Sequence, residues 1–101
     1  MQTITCEEYT SLQAEGAESA LLDVRNTDEF AAGHMDGAIN IPLHVLPLQY
    51  AERLPYRDTH IITCCAHGGR ASQAAVFLTR EGYTNVAVLE GGYEGYCGRE
   101  S

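Results

Sequence analysis

The chain has 101 residues, 45% of them hydrophobic, which suits one compact domain spanning residues 1–101 around a single core. Six Lys and Arg against 14 Asp and Glu give a formal net charge of -8. This excludes nucleic acid and anionic membrane surfaces as partners, and any anionic substrate must depend on positive charge placed locally. The opening residues, Met1-Gln2-Thr3-Ile4-Thr5-Cys6-Glu7-Glu8, have neither a basic start nor an apolar run of signal-peptide length, and no later stretch is long and apolar enough to span a bilayer. The chain therefore reads as cytoplasmic.

Strand and helix signals alternate along the chain, the pattern of an α/β domain with a mainly parallel sheet. Thr5 followed by Glu8 makes a capping box for a helix running to about Ala14 and ended by Gly16. Ala20-Leu21-Leu22-Asp23-Val24 reads as a buried strand, and a short helix from Thr27 to Ala32 stops at Gly33. Gly37 to Ile41 looks like a short strand halted by Pro42. Leu43 to Leu54 is an apolar, helical stretch broken at Pro47. After a strand over residues 61–64, Ala74, Ala75, Phe77 and Leu78 recur at helical spacing between Arg70 and Glu81, with Gly82 as the C-cap. Val86-Ala87-Val88-Leu89 is the last strand, and the Gly91-Gly92 turn leads into a short helical segment, Tyr93 to Tyr96, packed on the sheet edge.

The stretch from His60 to Ser72 carries the chemistry. It runs from an apolar strand through Cys64-Cys65 and the pair Gly68-Gly69 into an alanine-rich helix headed by Arg70. A cysteine at the end of a buried strand, followed by a tight loop and a helix N-terminus, sits among backbone N–H groups and the positive end of a helix dipole. Those donors favour thiolate over thiol and can hold an anion beside it. The four cysteines lack Cys-x-x-Cys knuckles, and Cys65 with His67 is too few ligands for a structural zinc, so neither a metal nor another cofactor is expected. The adjacency of Cys64 and Cys65 also argues against a disulfide framework of the secreted kind, and a bond between the two would be strained.

Asp23-Val24-Arg25, Glu29-Phe30, Gly33-His34, Gly37-Ala38-Ile39-Asn40-Ile41-Pro42, the Cys65 loop, Gly82-Tyr83 and Glu90-Gly91-Gly92 follow one another in the order of the rhodanese family. The chain resembles a single-domain rhodanese sulfurtransferase over nearly its whole length, and several spaced motifs agreeing at once are more specific than any one. The resemblance implies a rhodanese-like fold: a central, mostly parallel five-stranded sheet flanked by helices, with the active loop at the carboxyl end of a central strand, where open α/β sheets bind ligands. It also selects Cys65 over Cys64, because the family places its nucleophile just after the strand and three residues before the loop glycine, here Gly68.

In the mechanism the resemblance implies, Cys65 takes the outer sulfur of thiosulfate or a similar donor, and a persulfide then passes it to cyanide, a small thiol or a protein dithiol. Ala66, His67, Gly68, Gly69 and Arg70 would bind the substrate through backbone N–H groups, with the Arg70 fork matching a sulfonate. Asp23 and Arg25 would support the loop, His34 would serve a turn, and Cys64 would be buried as a small apolar residue. Two departures stand out. Ala71 replaces a hydroxyl residue that commonly follows the loop arginine, and Tyr96 stands in for a tryptophan after the double glycine. Two other readings remain at this stage. Cys64 and Arg70 have the Cys-x5-Arg spacing of protein phosphatases, although Thr63 stands where tyrosine phosphatases place a histidine. A non-catalytic carrier or binding module on the same scaffold is the third.

Overall fold

Strands buried on both faces need cover on both faces, and the alternation of side chains along this sheet shows how the cover is divided. The computed structural model describes residues 2–16 and 18–95. Its strands are β1 (Gln2–Ile4), β2 (Ala20–Asp23), β3 (Ile39–Asn40), β4 (Ile61–Cys64) and β5 (Val86–Leu89), all parallel and ordered β1-β5-β4-β2-β3. Leu22, Ile61, Val86 and Val88 face a cluster that includes Leu46, Leu54, Ala74, Ala75 and Leu78. Their neighbours Leu21, Ile62, Cys64, Ala87 and Leu89 face the other way, against Ile4, Tyr9 and Met35.

Among the described residues four α-helices complete the fold: α1 (Cys6–Ala14), α2 (Thr27–Ala32), α3 (Leu46–Arg53) and α4 (Gly69–Arg80). The α/β architecture with a five-stranded sheet is the one the sequence led us to expect. The capping box forms with both halves made: Thr5 Oγ1 accepts from the Glu8 N–H at 3.0 Å, and Glu8 Oε1 accepts from the Thr5 N–H at 2.8 Å. Gly33 and Gly82 follow α2 and α4 with positive φ, 158° and 98°, close to where the sequence set those helix ends.

Two local expectations change, and one strand is added. Pro47 does not break a helix: a 3-10 turn over Leu43–Val45 comes first, and Pro47 sits in the first turn of α3, where its missing N–H costs nothing. β1 had no sequence signal of its own, being three residues long, and it is held by pairing with β5. Residues 90–95 form turns rather than a helix; Tyr96 and Cys97 lie outside the described residues. Among the described residues no helix is long and apolar enough to cross a membrane. Cys6 is disulfide-bonded, a pairing the sequence reading did not foresee, whereas Cys64 and Cys65 are free thiols.

Candidate active site

Register brings the carboxyl ends of the central strands level. Asp23 of β2 lies opposite Cys64 of β4 on one side and Asn40 of β3 on the other. Beyond this edge the chain turns from β4 through residues 65–68 into α4. Gly68 is the N-cap of α4 with φ +125°, a conformation that costs a glycine little and other residues much. Thr63, fully buried, donates its hydroxyl to the Ala71 carbonyl at 2.9 Å and so ties the first turn of α4 to the strand.

The two cysteines part company here. Cys64 is fully buried on the α1 face, packed in the cluster of Ile62 and Leu89, and burial pushes its thiol up to about 12, with the Asp23 carboxylate adding to the effect. Cys65 turns to the opposite face, under the N-terminus of α4. Its Sγ accepts hydrogen bonds from the Gly68 N–H at 3.0 Å and the Ala71 N–H at 3.3 Å. Only 2% of the residue is exposed, so the sulfur is the floor of a narrow cradle that admits the tip of a substrate and little more. Ala71, which lacks the hydroxyl that commonly stands at this place in the family pattern, reaches the sulfur through its backbone N–H alone.

The other predicted site residues surround this sulfur unevenly. Ala66 is half-buried, His67 is exposed at the loop tip, and Gly69 opens the helix. Arg70 is half-buried at the rim, and its fork is gripped by Glu29 of α2 through Nη1–Oε1 at 2.7 Å and Nη2–Oε2 at 3.1 Å. The Arg70 hydrogen bonds, joined by the Asn26 N–H at 2.9 Å, hold the Glu29 carboxyl down at about 2. Glu29 appeared in the sequence only as part of a motif; no local spacing rule links it to a residue 41 positions away.

Behind the loop, Asp23 and Arg25 form a buried ion pair, Nη2–Oδ2 2.8 Å, with Nε also donating to Oδ1 at 3.0 Å. Arg25 Nη2 donates further to the Gly33 carbonyl at 2.7 Å, and its guanidinium stacks over the Tyr93 ring at 4.4 Å. These contacts tie the end of β2 to the Gly33 carbonyl and to Tyr93, whose own N–H bonds the Cys65 carbonyl. His34 bonds the Phe30 carbonyl through Nδ1 at 2.8 Å and stacks on the Phe30 ring, a turn role. Arg25, Glu29, Gly33, Ala66, Tyr93 and Glu94 line an open cleft of about 300 Å³ beside the cysteine loop.

Residues 5–99 match the family model described as Rhodanese-like domain. The chain is 34% identical over 97 residues to thiosulfate sulfurtransferase GlpE of Haemophilus influenzae, covering 96% of this chain and 89% of that protein. It is 33% identical over 111 residues to human thiosulfate:glutathione sulfurtransferase, covering 98% and 96%. The solved structure of the human single-domain sulfurtransferase TSTD1 superposes with a TM-score of 0.84 at 31% identity, over 100% of this chain and 99% of that one. A longer relative, Protein HIGH ARSENIC CONTENT 1 of Arabidopsis thaliana, is 34% identical over 102 residues, and the chain spans 60% of its length.

Proposed function

The chain belongs to the rhodanese-like family of sulfurtransferases, and from that premise we propose that it transfers sulfane sulfur through a persulfide on Cys65. The observation that carries this reading is the pair of backbone N–H groups, Gly68 and Ala71, aimed at the Cys65 sulfur from the head of α4. Both donors are in place to meet the negative charge that the sulfur carries in the course of transfer.

The Cys65 thiolate attacks the outer sulfur of thiosulfate. A new S–S bond forms as the sulfur–sulfur bond of the donor breaks, and sulfite departs with the bonding electron pair. The remaining Cys65 persulfide anion rests in the same cradle. Cyanide then attacks its terminal sulfur to give thiocyanate, or a thiolate does so to give a new persulfide, and the Cys65 thiolate returns. A small thiol such as glutathione, the acceptor named for the human relative, suits an opening that leaves the sulfur almost covered. A protein dithiol is the macromolecular alternative.

In this mechanism the N–H groups of Ala66, His67, Gly68 and Gly69 face the donor, and Arg70 takes its sulfonate. Glu29 holds the Arg70 fork in place until the sulfonate competes for it. We assign the reaction to the cytoplasm, where thiol acceptors abound; the free Cys64 and Cys65 suit that setting, and the disulfide at Cys6 weighs against it. The phosphatase reading loses ground because its nucleophile would be Cys64, which is fully buried and pushed up to about 12. A non-catalytic module would have no use for donors aimed at Cys65. The test is Cys65→Ser against Cys64→Ser in a thiocyanate assay with thiosulfate and cyanide: only the first substitution should remove turnover, and the reverse pattern would refute the assignment.

A further inference from the structure

The turn that follows β5 touches the cysteine loop through its backbone. Gly92 is buried with φ +62°, and a Cβ placed on it would fall far inside contact with the Cys65 carbonyl oxygen and 2.7 Å from that of Ala66. This closeness lets the next two residues bond the loop: the Tyr93 N–H donates to the Cys65 carbonyl at 2.7 Å, and the Glu94 N–H to the Ala66 carbonyl at 3.0 Å.

We infer that this turn is a positioning clamp, with Gly92 as its hinge-point and Tyr93 as its anchor, that aims the substrate-facing amides of the Cys65 loop. The inference rests on the proposed sulfur-transfer site. Its physical basis is the planar trans peptide, in which C=O and N–H point in opposite directions. There are no cis peptides among the described residues. Drawing the carbonyls of Cys65 and Ala66 toward the turn therefore swings the N–H groups of Ala66 and His67 away from it, toward the concave side of the loop. The anchor is rigid because the Tyr93 ring is wedged against the Arg25 guanidinium at 4.4 Å, and its hydroxyl lies so near Gly33 that a Cβ there would sit 2.9 Å away. Arg25 in turn is fixed by the buried Asp23 carboxylate. Gly92, Tyr93 and Glu94 thus act on the reaction through the loop.

The test compares Gly92→Ala with Gly16→Ala, following sulfur transfer and the rate at which iodoacetamide alkylates Cys65, mapped by peptide mass. Gly16 has a similar backbone, φ +73°, but nothing within 4 Å of a Cβ, so it controls for left-handed strain alone. Gly92→Ala should lower turnover by about 100-fold and slow Cys65 alkylation with it, the scale on which small misplacements of reacting groups act. Gly16→Ala should change neither. If Gly92→Ala fails to fold, Tyr93→Ala keeps both backbone donors and removes only the anchor; it should lower both rates by about tenfold. A folded Gly92→Ala, or failing that a folded Tyr93→Ala, with wild-type turnover and alkylation would overturn the clamp. A wild-type protein that transfers no sulfur, yet whose Cys65 alkylation slows in Gly92→Ala, would remove the functional premise and leave the clamp standing.

Discussion

Cys64 and Cys65 are covalent neighbours in opposite environments because side chains alternate along a strand and its extension. One is sealed against Ile62 and Leu89 on the α1 face; the other lies under the first turn of α4. Cys64→Ser should keep turnover within about threefold, since an isosteric change at a non-reacting site acts only through packing, whereas Cys65→Ser should lose about a thousandfold or more. Thiocyanate formation measures both. A second residue-scale prediction concerns Glu29, which is held at about 2 in the folded chain against an ordinary 4.5. Its folded-state value is depressed, so the stabilisation is complete above pH 4.5 and is lost as pH falls from there toward 2. Acid unfolding followed by circular dichroism should therefore be less steep in that window for Glu29→Gln than for the wild type. The family register singles out Cys65 in the sequence, and the structure places that residue under the head of α4 with two N–H groups on its sulfur. The grip of Glu29 on Arg70 was not legible there, because it spans α2 and α4 and follows no helical or strand spacing.

At the scale of elements, the site depends on what holds the carboxyl edge of the sheet together. Asp23→Ala would leave the Arg25 guanidinium buried without its carboxylate, and removing one partner of such a pair costs about 3–5 kcal/mol. Urea unfolding should report a loss of that size, and a loss below about 1 kcal/mol would show that the pair is relaxed by water. Elements with strong local signals, such as the capped α1 and the alanine-rich α4, could be read from their own residues. Where tertiary contact decides, local reading fell short. β1 exists through its pairing with β5, and residues 90–95 turn toward the cysteine loop because Gly92 allows a backbone approach that no side chain would permit. A helix drawn over Tyr93 from its neighbours in sequence misses the bonds from its N–H to Cys65 and from the Glu94 N–H to Ala66.

At the scale of the whole molecule, a parallel sheet covered on both faces leaves its carboxyl edge as the place for chemistry, and the net charge of -8 sets the field in which that edge works. The Arg25 and Arg70 guanidinium groups are each matched by a carboxylate, so little positive field projects toward a dianion. Screening that field should help thiosulfate: kcat/KM should rise about two- to threefold as the Debye length shrinks from about 30 Å at 0.01 M salt to about 8 Å at 0.15 M. A fall with salt would mean that local cations govern donor capture.

The central claim is that Cys65 carries the sulfur, and intact mass of the protein after incubation with thiosulfate, with peptide mapping, tests it most directly. The account predicts a gain of about 32 Da on the peptide at Cys65 that cyanide removes as thiocyanate. A gain on Cys64 instead, or none at all with a competent donor, would contradict it.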